Sequence, residues 1–309
     1  MDEQGYETFA SLGEGSAIIP GLSQGFVPQG LAYWRDTDWL LVSGYSDDGA
    51  SRLIVIDRQH GDLLKVLTLE NDDGSLFNGH SGGVALDMHS VYIASDGFVY
   101  TASLESIRQA GSVDTLRFLS SFKTPTNASF CTWSNGILWV GDFYYGKGYP
   151  SAPYKHRVNR DGEPTRAWIA GYDSEPVAGS GVPDYILSVG DRIQGMSVDD
   201  ASHIVLSQSY GRRNDSALLF FNTPLGTEPD EHVELYGSRV PLWHLDGYNA
   251  VKTLCAPPMS EGIAWTSSGI FVLFESAAKK YMHGSPKSRN PLDRIWRLKP
   301  ELLASWLAS

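Results

Sequence analysis

The stretch Gln29-Gly30-Leu31-Ala32-Tyr33 decides the fold, because its character recurs four more times along the chain. The copies are Gly82-Gly83-Val84-Ala85-Leu86, Ala128-Ser129-Phe130-Cys131-Thr132, Gln194-Gly195-Met196-Ser197-Val198 and Glu261-Gly262-Ile263-Ala264-Trp265. Two positions stay small: Gly30, Gly83, Ser129, Gly195 and Gly262, then Ala32, Ala85, Cys131, Ser197 and Ala264. The residue between them is large every time, as Leu31, Val84, Phe130, Met196 and Ile263. Alternation with period two is the mark of a strand, and a repeat at intervals of tens of residues is the mark of a cyclic or stacked architecture. A strand with one small face suits the innermost position of a ring of sheets, where neighbours converge and large side chains nest against small ones.

Each copy is followed by a second apolar strand, at 39–42, 91–94, 137–140, 204–207 and 270–274, and then by a third, at 52–57, 98–103, 155–159, 217–220 and 294–298. Outer strands are expected near 63–69, 115–122, 166–171 and 241–245, which leaves the fifth repeat without one. The apolar segment 16–20 is free to fill that place and remove an open edge. The expectation is an all-β, five-bladed β-propeller in one domain spanning 1–309, closed by pairing of N- and C-terminal strands. Its blades should run over about 29–69, 83–122, 128–171, 193–245 and 261–298. Extra length falls at 141–154, 171–191, 223–239 and 275–290, and three of these insertions are expected at one mouth of the central channel, where function is sought.

Thirteen residues after each small position stands a polar side chain: Ser43, Asp96, Asp142, Gln208 and Glu275. Near this ring, at the entries to the inner strands, stand Gln29, His80, Asn127, Gln194 and Glu261. The plainer account is that such groups satisfy backbone donors at strand ends. An aromatic collar of Tyr45, Phe143, Tyr144, Tyr145, Tyr149, Tyr154, Tyr210 and Tyr281 suits a small-molecule pocket, since tyrosine offers apolar area with a polar tip. Arg212, Arg213, Lys279 and Lys280 are candidates to hold an anionic group or polarise a carbonyl, or else to form loop ion pairs. His80 lies in Asn78-Gly79-His80-Ser81-Gly82-Gly83, where glycines permit close approach, and is the best-placed candidate base.

Composition narrows the classes. The 309 residues carry a net charge of -12, which argues against a nucleic-acid partner. No apolar run is long enough to span a bilayer. Two cysteines, Cys131 and Cys255, are too few for a thiolate zinc site or a disulfide scaffold, and their pairing stays open. No nucleophile elbow, phosphate loop, dinucleotide fingerprint or zinc-protease motif occurs, so neither a cofactor nor a metal is expected. Asn127-Ala128-Ser129 and Asn214-Asp215-Ser216 match the N-glycosylation pattern.

Three segments carry a resemblance: Val27-Pro28-Gln29-Gly30-Leu31-Ala32-Tyr33, Ser207-Gln208-Ser209-Tyr210-Gly211-Arg212 and Pro257-Pro258-Met259-Ser260-Glu261-Gly262-Ile263. With them the chain resembles a family of secreted propeller proteins of actinobacteria and fungi. It is also similar to the fungal hetero-Diels–Alderases that join a tropolone-derived quinone methide to a humulene-type sesquiterpene. The resemblance implies secretion, with the signal peptide already removed, and ring-forming chemistry on a small-molecule substrate. The catalytic candidates read from the residues are Gln29, His80, Gln194, Tyr210, Arg212 and Glu261. The substrate-binding candidates are Tyr45, Asp96, Asp142, Phe143, Tyr144, Gln208 and Glu275. Glycoside hydrolysis by mouth carboxylates, or non-catalytic binding of a carbohydrate or peptide, are the alternatives.

Overall fold

The computed structural model describes residues 5–146, 148–173, 181–199, 203–283 and 285–309. Its strands form five blades around one axis, each an antiparallel meander at its inner end. In the first blade, Phe26–Trp34, Trp39–Ser46, Arg52–Asp57 and Leu63–Glu70 follow one another outward. The second is Gly83–Leu86, Ser90–Ser95, Phe98–Ser103 and Ser120–Lys123. Closure is by the two ends of the chain: Gly13–Ile18 pairs antiparallel with Arg294–Leu298, outside Ser260–Thr266 and Gly269–Phe274 of the fifth blade. The closing strand starts three residues earlier than the sequence pattern suggested and ends at Ile18 rather than Pro20.

The recurrent small residues have a sharper cause than side-chain nesting. A Cβ on Gly30 would stand 2.5 Å from Val84 N, one on Gly83 2.2 Å from Cys131 N, and one on Gly262 2.4 Å from Leu31 N. At Gly30, Gly83 and Gly262 the inner strands therefore touch backbone to backbone around the channel, and only a residue without a side chain fits at these three positions, while the third blade accommodates Ser129. The intervening large residues Leu31, Val84, Phe130, Met196 and Ile263 are all buried between blades.

Three outer-strand expectations are corrected by the pairing. Instead of one strand at 115–122 there are two. Val113–Arg117 lies parallel to Leu63–Glu70 and extends the first blade, and Ser120–Lys123 completes the second. A parallel neighbour requires a crossover, and the helix Leu104–Gln109, capped by the Ser103 hydroxyl on the Glu105 N–H, supplies it. In the third blade, the strand expected at 155–159 is only Arg157–Val158, paired with Pro164–Thr165 away from the blade. The third position is taken by Ala167–Tyr172, buried at every residue, and the fourth by Tyr185–Val189, so this blade runs past 171. Ser238–His244, expected as the outer strand of the fourth blade, pairs parallel with Tyr185–Val189 and carries Glu231–Leu235 beyond it. The fourth blade consists of Ile193–Val198, His203–Gln208, Ser216–Asn222 and Ala250–Ala256. The insertions at 171–191 and 223–239 thus hold outer strands. Those at 141–154 and 275–290 supply mouth residues.

Among the described residues no helix is long and apolar enough to cross a membrane. Cys131 is buried in the third blade and Cys255 is exposed on the fourth, both as free thiols.

Candidate functional site

The register of three inner strands is broken at their entry to the channel mouth. The ladder shifts between Pro28 and Gly30, between Ile193 and Gly195, and between Ser260 and Ile263. The residues in these irregularities are Gln29, Gln194 and Glu261 with Gly262. A bulge takes a residue out of the ladder and re-aims its side chain, which accounts for how three ordinary strand positions come to serve the mouth.

Their side chains meet in one hydrogen-bonded chain across four blades. Gln194 Nε2 donates to Glu261 Oε1 at 3.1 Å, and Gln29 Nε2 donates to Glu275 Oε2 at 2.8 Å. Glu261 and Glu275 adjoin closely enough for each to shift the titration of the other, which links the two halves of the chain. Gln29 Oε1 lies 2.7 Å from His80 Nε2. With the Gln29 amide nitrogen turned to Glu275, its oxygen accepts from His80 Nε2–H, which leaves His80 Nδ1 as an acceptor. Gln29, Glu261 and Glu275 are buried.

Burial beside a second acid decides the protonation of the pair. Desolvation and the Glu275 charge push Glu261 well above the usual carboxylate range. Glu275 is pushed up to about 7 by burial, against hydrogen bonds from Tyr281 and Gln29 and the nearby Lys280 charge. Two adjoining buried acids resist charging together, and Glu261 is the one held more strongly in its neutral form. His80 is solvent-accessible yet sits inside the concave mouth, and that enclosure lowers its pKa and keeps it neutral. Lys280 Nζ donates to the Tyr45 hydroxyl at 2.8 Å, and the Tyr45 and His80 rings are 4.7 Å apart.

These groups line a cavity of about 670 Å³. Of the residues singled out from sequence, Gln29, Tyr45, His80, Asp96, Phe143, Gln194, Tyr210, Arg212 and Glu275 border it. Phe143 packs edge-on against Tyr149 at 5.2 Å and stands 6.2 Å from Tyr210, forming the aromatic wall. Asp96 is exposed on the rim at φ 51, accepting from the Ser95 hydroxyl. Glu261 lies beneath the cavity and reaches it through Glu275 and Gln194.

Besides Glu261, which is buried and does not border the cavity, three candidates are not brought to it. Asp142 is fully buried, 2.9 Å from Lys155 Nζ at both oxygens, and accepts the N–H groups of Asn127 and Trp168. It staples the mouth insertion to the third blade. Tyr144 turns away, edge-on to His156 at 6.0 Å with the Arg166 guanidinium 5.6 Å from its ring. Gln208 donates to Asp191 O at 2.9 Å. The collar also loses Tyr145 and Tyr154, and keeps Tyr45, Phe143, Tyr149, Tyr210 and Tyr281. Met259 was missed: it borders the cavity at φ 68, and an apolar residue in front of a repeat gives no sign of it.

A five-bladed β-propeller with one asymmetric cavity at its mouth is the class that fold and site define. No family model matches the chain, and no curated protein matches it. Among solved structures it is similar to the PQQ-bound aldose sugar dehydrogenase of Streptomyces coelicolor, at 16% identity over 93% of this chain and 96% of that one, with a TM-score of 0.52. It is also similar to Myxococcus xanthus glutaminyl cyclase, at 12% identity over 84% and 94% of the two chains, with a TM-score of 0.46. At these identities the likeness is one of fold.

Proposed function

We propose that the protein is an enzyme that binds a partly aromatic, oxygen-bearing small molecule in the mouth and promotes a ring-forming addition of hetero-Diels–Alder type. The observation that carries the reading is an aromatic-walled cavity with preorganised polar groups, Gln29, His80, Gln194 and Lys280, on its lining. In such an addition, a heterodiene and an alkene exchange three π bonds for one π bond and two σ bonds. No oxidant, leaving group or net proton transfer is required. The protein must hold the two reactants in contact and polarise the heterodiene oxygen. Holding them together is worth about 7–11 kcal/mol of the barrier in well-oriented systems. The donors for polarisation are the second amide hydrogen of Gln194 and the Lys280 ammonium, preorganised by their hydrogen bonds to Glu261 and to the Tyr45 hydroxyl. Phe143, Tyr149 and Tyr210 offer the surface for the apolar partner.

The resemblance to hetero-Diels–Alderases favours a tropolone-derived quinone methide as heterodiene and a humulene-type sesquiterpene as alkene. Glycoside hydrolysis is less well supported. It calls for two carboxyls about 5 to 9.5 Å apart, and of the four candidates Glu261 is buried off the cavity lining and Asp142 is committed to Lys155, which leaves Asp96, exposed on the rim, and Glu275. The test is incubation of the purified protein with both reactants and chiral analysis of the adduct. Faster formation with one stereoisomer in excess is expected. An unchanged rate and unchanged stereochemistry refute the proposal, and binding without turnover would move the protein to the non-catalytic class.

A further inference from the structure

The mouth carries two cations on one aromatic ring. Lys280 Nζ stands 5.4 Å from the Tyr281 ring centroid and the Arg212 guanidinium 5.0 Å from it, so the two charges are no more than about 10 Å apart. Lys280 is also 5.0 Å from the Tyr45 ring and donates to its hydroxyl. Arg212 donates to the Pro286 carbonyl. Among the described residues, neither cation has a carboxylate within ion-pair distance, although the chain carries a net charge of -12 and the adjacent Lys279 pairs with Asp47 at 3.2 Å. The carboxyl closest in chemistry, Glu275, is held by Gln29, Tyr281 and Glu261. Asp96, also bordering the cavity, takes the Ser95 hydroxyl.

Two like charges beside one ring, neither in an ion pair among the described residues, are arranged for an anion that arrives from outside. Resting on the reading of the mouth as a small-molecule site, we infer that Lys280 and Arg212 form an anion clamp, and that the mouth takes a planar organic acid whose carboxylate or acidic enolate oxygen docks between them. Planarity follows from the walls, since Tyr45, Tyr281, Phe143 and Tyr210 present ring surfaces.

The test is calorimetric titration of the full chain with 2-naphthoate and with its neutral counterpart 2-naphthamide, at low and high salt. Naphthoate should bind about tenfold more tightly than the amide per engaged cation, with the advantage shrinking as salt rises. Lys280→Met and Arg212→Met should each remove about tenfold from naphthoate affinity and leave the amide unchanged. Lys280→Arg should restore most of the loss. Lys252→Met, at a cation that donates to the Trp306 carbonyl on the C-terminal helix, should change neither. Circular dichroism establishes that each variant is folded. Equal binding of acid and amide overturns the clamp while leaving the small-molecule mouth standing. Binding of neither probe to the folded wild type overturns the clamp and the mouth reading together.

Discussion

Replacing Lys155 by methionine should expose how strongly the mouth depends on a buried charge. The Lys155 and Asp142 side chains are only 3% and 0% exposed, and the ammonium lies 2.9 Å from both carboxylate oxygens. Removing the cation leaves the Asp142 charge with two backbone donors, Asn127 N–H at 2.6 Å and Trp168 N–H at 3.0 Å. Breaking a buried pair from one side costs about 3–5 kcal/mol. With an unfolding entropy of about 2.1 cal/mol/K per residue, the 309 residues give about 0.65 kcal/mol/K, so Tm should fall by about 5 to 8 °C. The loss has a pH signature. Burial already raises Asp142 above its ordinary value, with Lys155 opposing the rise. Without Lys155 it rises further. A carboxyl whose folded pKa lies above the unfolded one destabilises most when ionised, so the gap from wild type should be full at about pH 8 and close toward about pH 4. Adding Asp142→Asn to the variant should recover more than half of the gap at about pH 8. The assay is thermal unfolding by circular dichroism at both pH values. A gap of equal size at both, or no recovery in the double variant, refutes the reasoning. The segment from Asp142 to Lys155 also carries Phe143 and Tyr149, so ligand affinity at the mouth should fall with it.

Glu275→Gln should flatten the pH dependence of stability. The wild-type carboxyl, raised to about 7, contributes fully below its unfolded value and loses that contribution as pH rises through about 7, so wild-type Tm should drop between about pH 5 and 8.5 while the variant changes less; equal slopes would count against a buried acid there. Gly83→Ala should destabilise by about 2 kcal/mol or more, since its Cβ would meet Cys131 N at 2.2 Å, whereas Gly190→Ala, whose Cβ would meet only Gln208 Nε2 at 3.9 Å, should be near neutral in denaturant melts. An aromatic disulfide reagent should titrate one thiol, Cys255, in the folded protein and Cys131 only after denaturant is added; two fast thiols would contradict the burial of Cys131.

Local pattern in the chain determines the repeat and the elements built directly on it. Alternation and turn spacing are properties of neighbouring residues, so the inner hairpins of all five blades and the closing N-terminal strand could be read directly, whereas of the expected polar ring only Asp96 and Glu275 border the cavity. Gln29, Gln194 and Glu261 were legible because each directly precedes a repeated small position, Glu275 because it follows one by thirteen residues, and His80 because glycines flank it at a repeat entrance. Parallel additions were not legible. Val113–Arg117 and Ser238–His244 alternate like any strand, and which blade they join is decided by a helix crossover and by available edges. Nor does any local pattern reveal that Gln29 meets Glu275, 246 residues away, or that burial beside Glu275 raises the Glu261 carboxyl. The same limit hid the loss of Asp142 to Lys155, two residues whose burial together depends on how a long insertion folds back on its blade. Protonation and charge pairing are set by burial and by neighbours distant in sequence, and only the closed ring brings those neighbours together.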